Sequence, residues 1–104
     1  MSVPIGFVHQ AQLDEAVVEA INTLDAREVR DVRFTIGPNS QGDQSIFFGI
    51  LLIGYAIHPS RFAKVTNKIS TTLYDQLQSY NRWGLLPYFN FTDSPSHFRD
   101  PRFM

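Results

Sequence analysis

The first periodic pattern along the chain runs from residue 10 to about residue 25, where apolar residues recur at intervals of three and four. An α-helix completes a turn about every 3.6 residues, so this spacing places the apolar side chains on one helical face. The residues on that face are Leu13, Val17, Ala20, Ile21 and Leu24. The pattern predicts an amphipathic helix that packs this face against the rest of the domain.

The period changes to two between residues 29 and 36. Val32, Phe34 and Ile36 alternate with Arg33 and Thr35, which is typical of a strand that is covered on one face. The segment 37–43 that follows consists mostly of turn formers, including two glycines and a proline. We therefore predict a strand that leads into a tight connection.

Residues 45–53 form a second strand-like segment, in which apolar residues occupy both the even-numbered and the odd-numbered positions. One set is Ile46, Phe48, Ile50 and Leu52, and the other is Phe47, Leu51 and Ile53. A strand with two apolar faces is either central in a covered sheet or half of an interface. Together with the preceding strand and its turn, the segment predicts a hairpin whose second strand needs cover on both sides.

A second helical pattern follows Pro59, with Ser60 as a candidate cap and Gly84 as a natural C-terminal stop. Its apolar positions are Phe62, Val65, Ile69, Leu73, Leu77 and Tyr80. Residues 88–92 are short and rich in aromatics, which predicts a third strand. The element order is therefore helix, strand, strand, helix, strand.

The last segment, 93–104, contains Pro95 and Pro101, and we expect it to be irregular. It also carries Phe98 and Phe103, which a disordered tail would have little use for. We therefore expect this tail to pack on the domain or on a partner.

The chain has 104 residues, an ordinary length for one domain, with a core over about 10–92 and the tail 93–104. The elements predict an α+β fold in which two helices lie on one face of a small, mostly antiparallel three-stranded sheet. Such a fold leaves one apolar set of the second strand without a helix above it. Covering roughly 300 Å² of apolar surface would contribute several kcal/mol, so an interface is expected there. The candidate interface residues are Phe47, Leu51, Ile53, Phe98 and Phe103.

Composition narrows the function classes. The formal net charge is -1, which provides no global field to attract nucleic acid. The chain contains no cysteine, which excludes disulfides, thiolate metal sites and cysteine nucleophiles, and is compatible with a reducing cytosol. The N-terminal residues lack the pattern of a signal peptide, and no apolar segment is long enough to span a membrane. We expect a soluble, cytoplasmic protein.

The residues that could carry catalysis are scattered. His9, His58 and His97 form no pair at ligand spacing, and Asp43 lies in a turn that has no phosphate-loop or calcium-loop pattern. We predict no metal and no cofactor. A small enzyme of unrecognised type remains an alternative, with Asp43, His58 and His97 as its only candidate groups.

The second helix carries a basic stripe of Arg61, Lys64 and Lys68, spaced by three and four residues. A nucleic-acid-binding domain would use such a stripe to neutralise phosphates and would use aromatic side chains to stack bases. A solvated helix face is the more common role for such a stripe. Nucleic-acid binding is therefore a further alternative.

Two stretches resemble a family of small bacterial α+β proteins. They are the hairpin from Val32 to Phe48, with its Gly-rich polar turn, and Tyr88-Phe89-Asn90-Phe91 after a long helix. Genes of that family often lie beside one for a protein similar to the HEPN nucleotide-binding class, which includes ribonuclease toxins. The resemblance implies an accessory or antitoxin-like subunit and supplies no catalytic residues.

These observations favour a non-enzymatic protein-binding module that self-associates or serves as an accessory subunit of a partner protein. The two-sided second strand is the feature that carries this hypothesis, because helices on one face cannot shelter both of its apolar sets.

Overall fold

A computed structural model describes residues 10–101 and 103, together with the side chains of all of these except Gln10. The predicted α+β class and element order are confirmed, with two further short helices. In order, the elements are α1 (Gln10–Asn22), β1 (Val29–Pro38), β2 (Gln44–Leu52), a 3-10 turn (Gly54–Ile57), α2 (Pro59–Leu77), α3 (Ser79–Trp83), β3 (Leu86–Thr92) and α4 (Pro95–Arg99).

The three strands form one sheet with β2 in the centre. β1 and β2 pair antiparallel as the predicted hairpin, with Phe34 opposite Phe48. β3 pairs parallel to β2, with Phe89 opposite Phe48, so the sheet is mixed rather than mostly antiparallel. The reason is the 19-residue helix α2, which is about 28 Å long and returns the chain past β2, itself about 30 Å. A connection of this length joins parallel strands.

The core lies between α1, α2 and one face of the sheet. On that face β2 contributes side chains that are at most 1% exposed, namely Ile46, Phe48, Ile50 and Leu52. Phe48 lies between Phe34 and Phe89, with ring centroids 6.4 and 5.4 Å away. The helices contribute most of the residues that the periodicity predicts, namely Leu13, Val17 and Ala20 from α1 and Val65, Ile69, Leu73 and Leu77 from α2. Phe62, predicted on the same face of α2, is instead 41% exposed. We call this side of the sheet the helix face.

Both ends of α2 differ from the prediction. The side chain of His58, rather than that of Ser60, caps its start by accepting a hydrogen bond from the Ser60 backbone N–H at 3.2 Å. The helix ends before Tyr80, because Gln78 adopts the left-handed conformation at φ 49° and redirects the chain. The short helix α3 that follows brings Trp83 into the core and ends at Gly84 as predicted.

The C-terminal segment, predicted to be irregular, contains the short helix α4. Pro95 occupies its first turn, where its missing N–H costs nothing, and the Ser94 hydroxyl caps it by accepting from the His97 backbone N–H at 3.2 Å. Pro95 therefore starts a helix here instead of preventing one. Among the residues described, no helix combines the length and the hydropathy needed to cross a bilayer.

Candidate functional site

The side of the sheet opposite α1 and α2, which we call the second face, carries the odd-numbered residues of β2. Strand register aligns them with β1 and β3 in rows. From one end to the other, the rows are Gly37–Ser45–Leu86, Thr35–Phe47–Tyr88, Arg33–Gly49–Asn90 and Asp31–Leu51–Thr92. This face therefore holds Phe47 and Leu51, two of the predicted interface residues.

Helix α4 covers the Leu51 end of the second face. Leu51 is 4% exposed and Phe98 on α4 is 6% exposed, so these two predicted interface residues are buried within one chain. The Arg33 guanidinium holds the helix by donating to the Phe98 carbonyl at 2.8 Å, and it also lies 5.9 Å from the Phe98 ring. Phe103 is half-buried with its ring 6.1 Å from that of Phe98. The described part of the tail thus packs on its own domain, one of the two outcomes expected for it.

At the other end of the second face the small Ser45 is buried, but the aromatic side chains beside it are less well covered by the described residues. Phe47 is half-buried there, and its ring stacks on that of Tyr88 at 5.2 Å and 15°. Tyr88 remains 39% exposed, and its hydroxyl accepts a hydrogen bond from the Asn39 side chain at 3.0 Å. We call this area the open half; its members are Thr35, Gly37, Phe47, Tyr88 and Asn90.

Ile53, another predicted interface residue, lies just beyond β2 and is partly exposed. Its backbone N–H donates to the Glu28 carbonyl at 2.9 Å, which ties the end of β2 to the start of β1. It is not part of the open half.

A second candidate site lies at the rim of the helix face, around a buried acid that sequence reasoning missed. Glu28 is 1% exposed, and its Oε2 accepts hydrogen bonds from the Tyr55 hydroxyl and, at 2.7 Å, from Lys68 Nζ. Its Oε1 is buried and accepts no hydrogen bond within the described part of the chain. These side chains, with Arg61, Lys64 and Val65, line a cavity of about 130 Å³ that we call the Glu28 pocket.

Three elements position this cluster. Glu28 ends the turn before β1, where its backbone N–H donates to the Asp25 carbonyl at 3.0 Å. Tyr55 lies in the 3-10 turn, directly after Gly54 at φ 63°, where a Cβ would come within 3.1 Å of the Arg27 carbonyl oxygen. Lys68 lies in the middle of α2. The close approach at Gly54 is what lets the turn fold back towards Glu28.

The buried carboxylate shapes the electrostatics of its neighbours. The hydrogen bond from Lys68 to Glu28 raises the pKa of the lysine, because the charged ammonium is the form that the carboxylate stabilises. The hydrogen bond to Glu28 also raises the pKa of Tyr55, because ionising the phenol would place a second negative charge beside the first. Next to the cluster, Arg27 lowers the pKa of Asp25 by hydrogen bonding.

The predicted basic stripe converges on this pocket instead of forming a uniform row. Lys68 is already bound to Glu28, whereas Arg61 and Lys64 form no ion pair with any residue in 10–101. The Arg61 guanidinium lies 6.0 Å from the centre of the Tyr55 ring. The sequence offered little signal for Glu28 and Tyr55, because Tyr55 and Lys68 are 27 and 40 residues from Glu28 along the chain.

The three candidate catalytic groups that the structure describes are not brought together. Asp43 lies in the hairpin turn, His58 caps α2, and His97 lies on α4 beside Phe103, with ring centroids 4.9 Å apart. His9 lies outside the described residues. In the ranges 10–101 and 103, no three His, Cys, Asp or Glu side chains are grouped as a metal site would require.

Comparisons with protein-family models, with curated proteins and with solved structures find no match to this chain. Its function is therefore argued from its own surfaces.

Proposed function

We propose that this protein is a non-enzymatic binding module that self-associates through the open half of its second face. The observation that carries the proposal is the stacked pair of Phe47 and Tyr88, two aromatic rings left in contact with solvent where the cover by α4 stops. In the proposed dimer the open halves of two copies pack against each other about a twofold axis.

The composition of the open half supports an interface. Its members are two aromatic side chains, a glycine and two neutral polar residues, Thr35 and Asn90, with no charged side chain among them. Arg33, in the same row as Asn90, borders this surface and donates to the Phe98 carbonyl of α4. Interface centres are depleted in charge and enriched in Tyr and Phe. Two copies of an uncharged surface meet without electrostatic repulsion, which favours a second copy of the chain as the occupant. Sheet faces also stack readily, at about 10 Å.

The accessory, antitoxin-like role implied by the family resemblance would use the same surface to bind a different protein. A cytoplasmic location belongs to this proposal as well, since the chain has no cysteine to stabilise it in an oxidising compartment.

Sedimentation velocity over a range of protein concentrations tests the proposal. We expect the wild-type chain to dimerise, and we expect Tyr88→Glu to weaken dimerisation by about tenfold or more, because it places two carboxylates at the centre of the interface. The matched control is Tyr80→Glu on α3, where the tyrosine is 57% exposed and lies outside the open half. Circular dichroism checks that both variants fold.

The control variant should dimerise like the wild type. A wild-type chain that stays monomeric at the highest concentration would contradict the proposal, and so would equal weakening by the two substitutions. A monomer that binds a HEPN-class protein through Tyr88 would replace self-association with the accessory role.

A further inference from the structure

We infer that the Glu28 pocket is a binding site for a small organic phosphate, with the phosphate at its outer end and a hydroxyl or amino group of the same molecule at its inner end. This site is independent of self-association, because its residues lie at the rim of the helix face and not on the second face.

The outer end of the pocket is positively charged. Arg61 and Lys64 line it and have no acidic partner within the described ranges, while the single acid of the pocket is already paired with Lys68. Arg61 also lies in the first turn of the 19-residue helix α2, a turn that contains no acidic residue. The helix dipole therefore adds to the same positive field, and both contributions favour an anion.

The inner end of the pocket offers an acceptor. Glu28 is 1% exposed, and its Oε1 accepts no hydrogen bond from the described residues, a costly arrangement for a buried carboxylate oxygen. Glu28 lines the cavity, so a donor group of a ligand that enters it completes the hydrogen bonding of this oxygen, while Tyr55 and Lys68 keep their bonds to Oε2. A bare anion would be repelled at this end, whereas a hydroxyl or amino group would satisfy the acceptor.

The side chains are already held in place for such a ligand. The Tyr55 hydroxyl is bound to Glu28, and the ring of the same tyrosine supports the Arg61 guanidinium. Tyr55 and Arg61 also border a larger hollow at the start of α2, next to Ile57 and Ser60. That hollow gives room for the remainder of a molecule whose phosphate and donor occupy the smaller cavity.

The charge balance favours a small ligand over a nucleic acid. Arg61 and Lys64 are the two cations of the pocket without an acidic partner, and the whole chain carries a formal charge of -1. A nucleic-acid surface neutralises a row of phosphates and needs more cations along its length. Two cations beside one cavity match a single phosphate group.

The test is titration of the folded ¹⁵N-labelled chain, followed by amide chemical shifts, with ribose 5-phosphate, inorganic phosphate and a single-stranded RNA oligonucleotide at constant ionic strength. We expect ribose 5-phosphate to shift amides in 54–68 and around residue 28. It should bind several-fold more tightly than inorganic phosphate, because its hydroxyls reach Glu28. Arg61→Gln combined with Lys64→Gln should weaken binding by about tenfold or more, since each charged hydrogen bond to phosphate contributes substantially.

The matched control is Arg82→Gln, which removes another arginine held over an aromatic ring, 5.7 Å from the ring of Trp83. Both arginines and Lys64 are exposed, so the variants should fold. The inference is overturned if ribose 5-phosphate shifts no amide in 54–68, if the control weakens binding as much as the double variant, or if inorganic phosphate binds equally well. RNA binding that is tighter than sugar-phosphate binding and equally dependent on Arg61 and Lys64 would overturn the small-ligand class in favour of a nucleic-acid surface.

Discussion

Phe47 and Phe48 are neighbours on the same strand, and both stack on an aromatic residue of β3. Phe48 meets Phe89 at 5.4 Å and 7°, and Phe47 meets Tyr88 at 5.2 Å and 15°. Yet Phe48 is 1% exposed, whereas Phe47 is only half-buried. The parallel pairing of β2 and β3 sets the ring stacking on both faces. Burial depends instead on what lies above each face, which is α1 and α2 on one side and the short helix α4 on part of the other.

The polar contacts at the edges of the two faces differ in a corresponding way. At the rim of the helix face, Glu28 binds Lys68 and Tyr55, and the pKa values of both partners are raised. On the second face, Arg33 binds the carbonyl of Phe98, an acceptor that does not titrate. The rim of the helix face therefore has contacts that depend on pH, whereas the contact of Arg33 on the second face involves no titrating acceptor.

The largest expected effect comes from truncating the two neighbouring phenylalanines. Phe48→Ala leaves a cavity among packed side chains and should lower the free energy of unfolding by about 3–5 kcal/mol. Phe47→Ala removes a half-exposed ring and should cost about 1–2 kcal/mol. Urea denaturation followed by circular dichroism measures both values. Equal losses would show that the second face is covered in solution as fully as the helix face.

A smaller effect is expected from uncovering the second face. Phe98→Ala should destabilise the chain by about 2 kcal/mol, less than for a full core position, because α4 forms a single thin layer over Leu51. It should also increase the binding of a hydrophobic dye, since Leu51 loses its cover. Arg99→Ala, at an exposed position on the same helix, is the control and should change stability by less than about 0.5 kcal/mol. If both variants behave like the wild type, α4 does not pack as described.

The smallest expected effect is a loss of folding stability at alkaline pH, which arises at the rim of the helix face. The pKa values of Lys68 and Tyr55 are raised in the folded chain, so their contacts contribute stability below a pH of about 10. That contribution is lost as the pH rises through the raised values, because the folded state then has to release protons that it binds more tightly than the unfolded state. Thermal unfolding between neutral pH and a pH of about 11 measures the loss.

Tyr55→Phe should flatten this alkaline decline, whereas the exposed Tyr74→Phe should leave it unchanged. An alkaline decline that is identical in the wild type and in Tyr55→Phe would show that the Tyr55 hydroxyl does not contribute to it.

Local pattern accounts for most of the elements. The period-three-and-four spacing predicted α1 over 10–25, and the helix extends from Gln10 to Asn22. Alternation predicted the hairpin, and the register pairs Phe34 with Phe48 as two residues of one covered face. These features follow from short-range chemistry, because a helix face or a strand face depends only on residues a few positions apart.

The candidate sites could be predicted only in part. Arg61, Lys64 and Lys68 stood out as a helical stripe, but their convergence on Glu28 and Tyr55 requires the turn at Gly54 and the packing of α2. Phe98 stood out as an aromatic in a proline-containing tail, and its place over Leu51 depends on α4 folding back across the sheet. The sequence indicated single residues of each site, but not the residues that they contact.

What the sequence alone determines and what only the tertiary structure decides differ in the range of the contacts involved. Hydrophobic periodicity depends on residues a few positions apart, and it was enough to define the helices, the hairpin and a β2 strand with two apolar faces. The parallel direction of β3, the left-handed break at Gln78, the burial of Glu28 and the half-covered second face arise from contacts between segments far apart in the chain. Such contacts form only when the whole chain packs, because each depends on loop closure and on which surfaces the other elements have already covered.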